Sequence, residues 1–149
     1  MTYEFLEHTA DVKFRAEGST IEEMFVAAAG ALNETVRGDI TILEQVEKSF
    51  GVVANDKESL LYDFLEEFLF LLDAENFVVS KIKSLEVEGN KLKCVVVGDD
   101  ADNYKFTNDV KAVTYSEMSV KQVLRDDGGQ MAEGKTSDGR WVCEVVLDV

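Results

Sequence analysis

The sequence contains no proline, one histidine, one tryptophan and two cysteines among 149 residues. Without proline there is no X-Pro bond whose slow isomerisation would limit folding. Cys94 and Cys143 lie far apart with no CxxC spacing, which argues against a structural zinc site. Both fall in apolar runs, where a thiol packs as a small hydrophobe. Basic residues are scarce as well: 15 Lys and Arg face 30 Asp and Glu, a net charge of −15. Nucleic-acid binding relies on Lys and Arg to neutralise phosphates, so no direct contact with RNA or DNA is expected. The acidic surface favours divalent cations and basic protein partners, and it also serves solubility. No uncharged stretch reaches the ~18 residues of a membrane helix. The opening MTYEFLEHTAD shows neither the basic nor the apolar region of a secretory leader. A cytoplasmic protein without membrane contact is expected.

What is present suits a globular chain. Hydrophobic residues make up 46% of it, and its length fits one domain over residues 1–149. Residues 11–17 alternate as a strand. Ser19 and Glu22 then form an S-x-x-E capping signature, followed by apolar Ile21, Met24, Phe25, Ala28, Ala29 and Leu32 at helical spacing. These predict a helix over 20–36. Residues 46–54 read as a strand. Asn55 or Asp56 caps a second helix over 57–73, with a stripe of Leu60, Leu61, Phe64, Leu65, Phe68, Leu69 and Leu72. Tyr62 and Phe70 widen that stripe, either by deep burial on a sheet or as an exposed apolar flank for a partner. Strands are expected over 79–87, 92–98, 111–115, 120–124 and 141–147, with Gly89-Asn90 turning the first pair and residues 99–103 forming an acidic loop. The expected class is α+β: a single two-layer domain, with two main helices packed on one face of a mixed β-sheet.

One string invites a nucleotide-binding reading. GQMAEGKT, residues 129–136, satisfies the pattern of a phosphate loop. Such a loop needs a helix immediately after it, whose free N–H groups and dipole hold the phosphates. Here Ser137-Asp138-Gly139-Arg140 signals a turn, and the β-branched run WVCEVVLDV follows. Asp126 and Asp127 also set negative charge just before the loop. A glycine-rich hairpin between the last two strands is the better reading.

Chemistry is more plausible at two other places. Glu7-His8-Thr9-Ala10-Asp11 brings polar residues to the start of a strand. Leu147-Asp148-Val149 sets a carboxylate beside the α-carboxylate of the last residue. Carboxylates at strand ends are most often simply solvated, yet these oxygens also suit hard cations: Ca²⁺ takes about 6–8 and Mg²⁺ six. His8 reads either as a hydrogen-bonded structural residue or as a partner that orients Asp11. A metal-dependent hydrolase built on His8, Asp11 and Asp148 would lack most of the required roles.

Four motifs, in order, carry a family resemblance: EHTADV at 7–12, DAENFV at 73–78, VKAVTYSEMSV at 110–120 and LDV at 147–149. Together they span essentially the whole chain, which resembles archease. The resemblance implies a small α+β domain that is not an enzyme. It implies an activator of the RtcB-type RNA ligase of tRNA splicing, promoting guanylylation of the ligase and its turnover. A broader chaperone-like role, including modulation of a tRNA cytosine methyltransferase, is also ascribed to the family. By motif, the implied divalent-metal site falls on Asp11, Asp148 and the terminal carboxylate of Val149. Calcium is the expected ion, with Mg²⁺ or Mn²⁺ as alternatives. The lysine implicated in ligase activation is Lys111. Where many relatives carry histidine after the motif tyrosine, this chain has Ser116.

Overall fold

Two capped helices frame the computed structural model, which describes residues 1–7, 11–106, 110–123, 126–127, 130–131 and 139–149. Helix α1 (Ile21–Arg37) starts at Thr20, whose hydroxyl oxygen accepts the Glu23 N–H at 3.1 Å. The cap therefore falls one residue later than the Ser19–Glu22 pair suggests. Strand β2 (Val12–Gly18) runs through Gly18 and leaves Ser19 in the turn, with Thr20 extended and ready to cap. At the far end Gly38 takes φ 61° and donates its N–H to the Glu34 carbonyl. Helix α2 (Lys57–Glu75) is capped by Asp56, which accepts the Ser59 N–H at 2.7 Å, and it ends on Asn76 in the left-handed region. Asparagine tolerates that conformation better than most side chains.

The α+β class stands, but the sheet is not mixed. Strand β1 (Thr2–Leu6), β2, β6 (Ala112–Val123) and β9 (Arg140–Asp148) form sheet A in the order β1-β2-β9-β6. Strand β3 (Val46–Val53), β4 (Phe77–Glu88) and β5 (Lys91–Asp100) form sheet B in the order β3-β5-β4. Every pairing among the described residues is antiparallel. Antiparallel pairs accept short connections, and β4 and β5 are joined by a turn in which Gly89 takes φ 62°. The strands expected at 111–115 and 120–124 are one strand, β6, broken by a register shift between Thr114 and Ser119. Glu117 takes φ 60° inside that shift, the local bend that a bulge produces. β1 carries no turn signal or clear alternation in the sequence. It is held by pairing with β2 and by the Tyr3 hydroxyl, which donates to Glu34 on α1 at 3.1 Å.

One hydrophobic cluster draws on both helices and both sheets, with Phe14, Phe25, Leu32, Phe64, Leu65, Val96, Val145 and Leu147 fully buried. The α2 stripe lies against it as its spacing predicts, although Leu71 takes the buried place and Leu72 only packs against the margin. Phe64 is the hub of an aromatic group, with ring centroids 5.3 Å from Phe25 and 5.2 Å from Phe68. Both cysteines are buried and free. Burial pushes each thiol up to about 12, which keeps it protonated and inert. No helix among the described residues is long and apolar enough to cross a membrane.

Candidate functional site

The ends of three strands meet at one corner of sheet A. β9 lies between β2 and β6, so its last residues have neighbours on both sides. On one side Val12 pairs with Leu147, and continuing that register by one residue sets Asp11 against Asp148. Cross-strand neighbours lie about 4.5–5.5 Å apart at Cα. On the other side Ala112 pairs with Asp148, and the Lys111 N–H donates to the Asp148 carbonyl at 2.8 Å. Asp11, Lys111 and Asp148 are thus brought together from remote parts of the chain. Asp148 and Lys111 are exposed, Asp11 is half-buried, and Val149 is 41% exposed. His8 and Thr9 lie outside the described residues.

Alternation along β9 buries Cys143, Val145 and Leu147 and turns Glu144 and Asp148 to the opposite face. The outer face carries its own ion network. Arg15 donates to Glu144 at 2.8 and 3.1 Å, and Lys13 lies 3.1 Å from Glu117 and 3.5 Å from Glu144. The hydrogen bonds from Arg15, with the Lys13 and Arg15 charges, hold the Glu144 carboxyl below its ordinary range.

The donor set at the corner is all oxygen, which matches a hard cation rather than a soft one. Among the described residues no three His, Cys, Asp or Glu side chains stand close enough to hold a metal ion. A cation here would need the Val149 α-carboxylate in addition to the Asp11 and Asp148 side chains. Those three carboxylates offer up to six oxygens, the lower end of what calcium takes.

Helix α2 supplies features that motif reading missed. The Glu66 carboxylate accepts the Val113 N–H at 3.2 Å, two residues beyond Lys111. Glu58 accepts the Val120 N–H at 3.2 Å. These acids cover the outer edge of β6, where no further strand lies among the described residues. Tyr62 stacks on Tyr115 with centroids 4.2 Å apart and planes 10° apart. Burial first, and then the Glu66 charge and hydrogen bond, push the Tyr62 hydroxyl above its ordinary value. The sequence signal was faint: Glu58, Tyr62 and Glu66 share one helix face by their spacing.

The string GQMAEGKT falls mostly outside the described residues. Gln130 and Met131 form the two-residue strand β8 (Gln130–Met131), paired with β7 (Asp126–Asp127). Residues 132–138, including Lys135 and Thr136, are not described. β9 begins at Arg140, so the described chain beyond the loop is strand, and the helix a phosphate loop requires has no place there.

Residues 3–149 match the profile of the Archease protein family (MTH1598/TM1083). The chain is 34% identical over 153 aligned residues to the protein archease of Pyrococcus furiosus, spanning 99% of this chain and 98% of that one. It is 33% identical to the archease of Methanosarcina acetivorans over 99% of this chain and 95% of the relative. The solution structure of Methanobacterium thermoautotrophicum protein 1598 superposes with a TM-score of 0.72 at 29% identity, over 99% and 98% of the two chains. The crystal structure of "an archease, possible chaperone" from Thermotoga maritima has the same fold, with a TM-score of 0.62 at 22% identity over 97% and 94%.

Proposed function

The chain belongs to the archease family, and from that premise we propose that it is a non-enzymatic activator of an RtcB-type RNA ligase in tRNA splicing, promoting guanylylation and turnover of the ligase. The observation that carries the reading is the meeting of Asp11, Asp148 and Lys111 at one corner of sheet A through the β2–β9 and β6–β9 pairings. In this reading Asp11, Asp148 and the Val149 carboxylate hold a divalent cation, with calcium as the best match to an all-oxygen donor set. Such an ion supplies positive charge that stabilises phosphoryl oxygens. Lys111 adds a compact cation on a flexible stem, suited to a phosphate or a carboxylate of the ligase. The backbone bond from Lys111 to Asp148 ties that lysine to the metal-holding strand.

The test pairs a binding measurement with an activity. Calorimetric titration with Ca²⁺ reads the site directly in the unaltered protein, in Asp148→Asn, and in a form extended beyond Val149. Guanylylation of the cognate ligase is followed with the same three proteins and with Lys111→Ala. Both metal-site changes are expected to weaken Ca²⁺ binding by at least about tenfold, the usual cost of disturbing a metal shell, and to abolish stimulation. Lys111→Ala is expected to abolish stimulation while leaving Ca²⁺ binding intact. Full stimulation by all three altered proteins would sink the reading.

A second reading has its own support. Phe70 and Tyr115 are 54% and 53% exposed, and exposed large apolar groups mark surfaces that meet other proteins. They favour a chaperone-like role toward an RNA-modifying enzyme such as a tRNA cytosine methyltransferase. Aggregation of that enzyme, followed by light scattering with and without Phe70→Ser, separates the two. Suppression that persists in Asp148→Asn but fails in Phe70→Ser would favour the chaperone.

A further inference from the structure

The sheet edges of this fold are not treated alike. β6 has Glu58 and Glu66 on its outer N–H groups. β4 has Glu22 on the Val87 N–H, and Arg37 donates to the Ser80 carbonyl at 3.0 Å. β1 is short, five residues against eight in β3. β3 is the other outer strand of sheet B, and among the described residues nothing bonds to its outer backbone groups. Folded proteins usually cover such an edge, because unpaired N–H and C=O groups are a template for another strand.

Beside this edge lies a groove of about 460 Å³ bounded by β3 and the outer flank of α2. Val53, 71% exposed, stands on one wall, and Phe70 stands on the other. Asp63, Glu67 and Phe70 recur along α2 at the spacing of one helix face. Neither Asp63 nor Glu67 has a cationic partner among the described residues. Burial, and then the charges of Glu75 and Asp63, raise the Glu67 carboxyl above its ordinary value, so this wall has charge that a cation would relieve. Gly51 also lines the groove. It has no left-handed backbone to explain it, and a Cβ there would meet only the Leu92 carbonyl at 3.4 Å, an ordinary contact. Glycine weakens a strand interior, and close approach of another backbone is one of the reasons a strand carries it.

We propose that the groove between β3 and α2 takes up an extended, lysine- or arginine-bearing segment of a partner protein, which joins sheet B as an added strand. Backbone pairing to β3 supplies affinity, as in other strand-addition complexes. Alternate side chains of the segment supply the choice of partner: basic ones meet Asp63 and Glu67, and an apolar one meets Phe70 and Val53. A second copy of this chain is a poor occupant, since each copy carries a net charge of −15.

The probe is a capped peptide of about eight residues alternating lysine and valine, titrated into the full chain while amide chemical shifts are recorded. Two control peptides replace lysine with glutamate or carry N-methyl groups on alternate residues. The expected result is saturable shifts confined to β3 and residues 63–70, with both controls inactive. Binding should weaken about tenfold in Asp63→Lys/Glu67→Lys, as loss of charge complementarity predicts, and at least as much in Gly51→Leu, which adds bulk on the β3 wall where the segment would lie. Circular dichroism melts check that each variant folds. Should the double variant fail to fold, Gly51→Leu and Phe70→Ser carry the same comparison. Equal binding of a control peptide, shifts centred on Asp11 and Asp148, or a peptide-free dimer paired through β3 would each overturn the proposal. The readout is binding alone, so its outcome is independent of ligase stimulation.

Discussion

Gly98 and Asp99 show how much a single position can hide from the sequence. A Cβ on Gly98 would stand 2.0 Å from the Val78 carbonyl oxygen and 2.9 Å from the Phe77 ring. No turn motif marks this glycine; the constraint comes from β4 crossing close to it at a register shift. Gly98→Ala is expected to destabilise the fold by about 1–3 kcal/mol, the range for forcing extra volume into a packed site, measured by urea unfolding. Asp99 follows it in what reads as an acidic loop, but Asp99 and Asp100 close β5, and residues 101–103 form a 3₁₀ turn. The Asp99 carboxylate is buried, accepting from the Tyr104 hydroxyl at 2.7 Å, while that hydroxyl accepts the Leu43 N–H at 2.9 Å. An aspartate in a run of acids looks solvated until its tyrosine is placed. The corner residues Asp11, Lys111 and Asp148 were legible for a different reason. Their motifs are local strings, and pairing of β9 with both neighbours then joins them in space.

Helix α2 was readable as an element because its apolar spacing is long and regular and Asp56 caps it. Its polar side was not readable, because a glutamate on a helix face is usually just solvated. Glu58 and Glu66 instead take backbone N–H groups of β6, two helical turns apart, and so anchor the helix to the sheet. Glu66→Ala is expected to cost about 1 kcal/mol, the net worth of one such hydrogen bond. The Val113 amide, deprived of its acceptor, should exchange with deuterium faster while the core amides of β9 do not change. Equal protection of Val113 in both proteins would show that the carboxylate does not hold this edge. The split of β6 into two expected strands has a similar origin. The bulge around Glu117 interrupts alternation, and alternation is what marks a half-buried strand in a sequence.

Charge acts across the whole molecule, and its pH dependence has a definite sign. Asp56, Asp99 and Glu144 all have carboxyls held below their ordinary range, by the Ser59 N–H, the Tyr104 hydroxyl and the Arg15 guanidinium respectively. The unfolded chain therefore takes up protons at these groups before the folded one does. Their contribution is complete above the ordinary carboxylate range, about pH 4, and is lost as pH falls through the folded values. Glu67 is shifted the opposite way and opposes folding once ionised. Melting temperatures recorded from neutral pH downward should fall below about pH 4, and less steeply in Glu144→Gln. Sheet A also constrains the order in which the chain can be completed during synthesis. Strands β3 to β5 are sequential and pair with one another, so sheet B can assemble as soon as it leaves the ribosome. β9 follows every other element yet belongs between β2 and β6. Until it emerges, β2 and β6 have no common neighbour, and nothing holds Asp11 beside Lys111. The corner therefore forms only once β9 has been made, and a nascent chain stalled before Arg140 cannot display it.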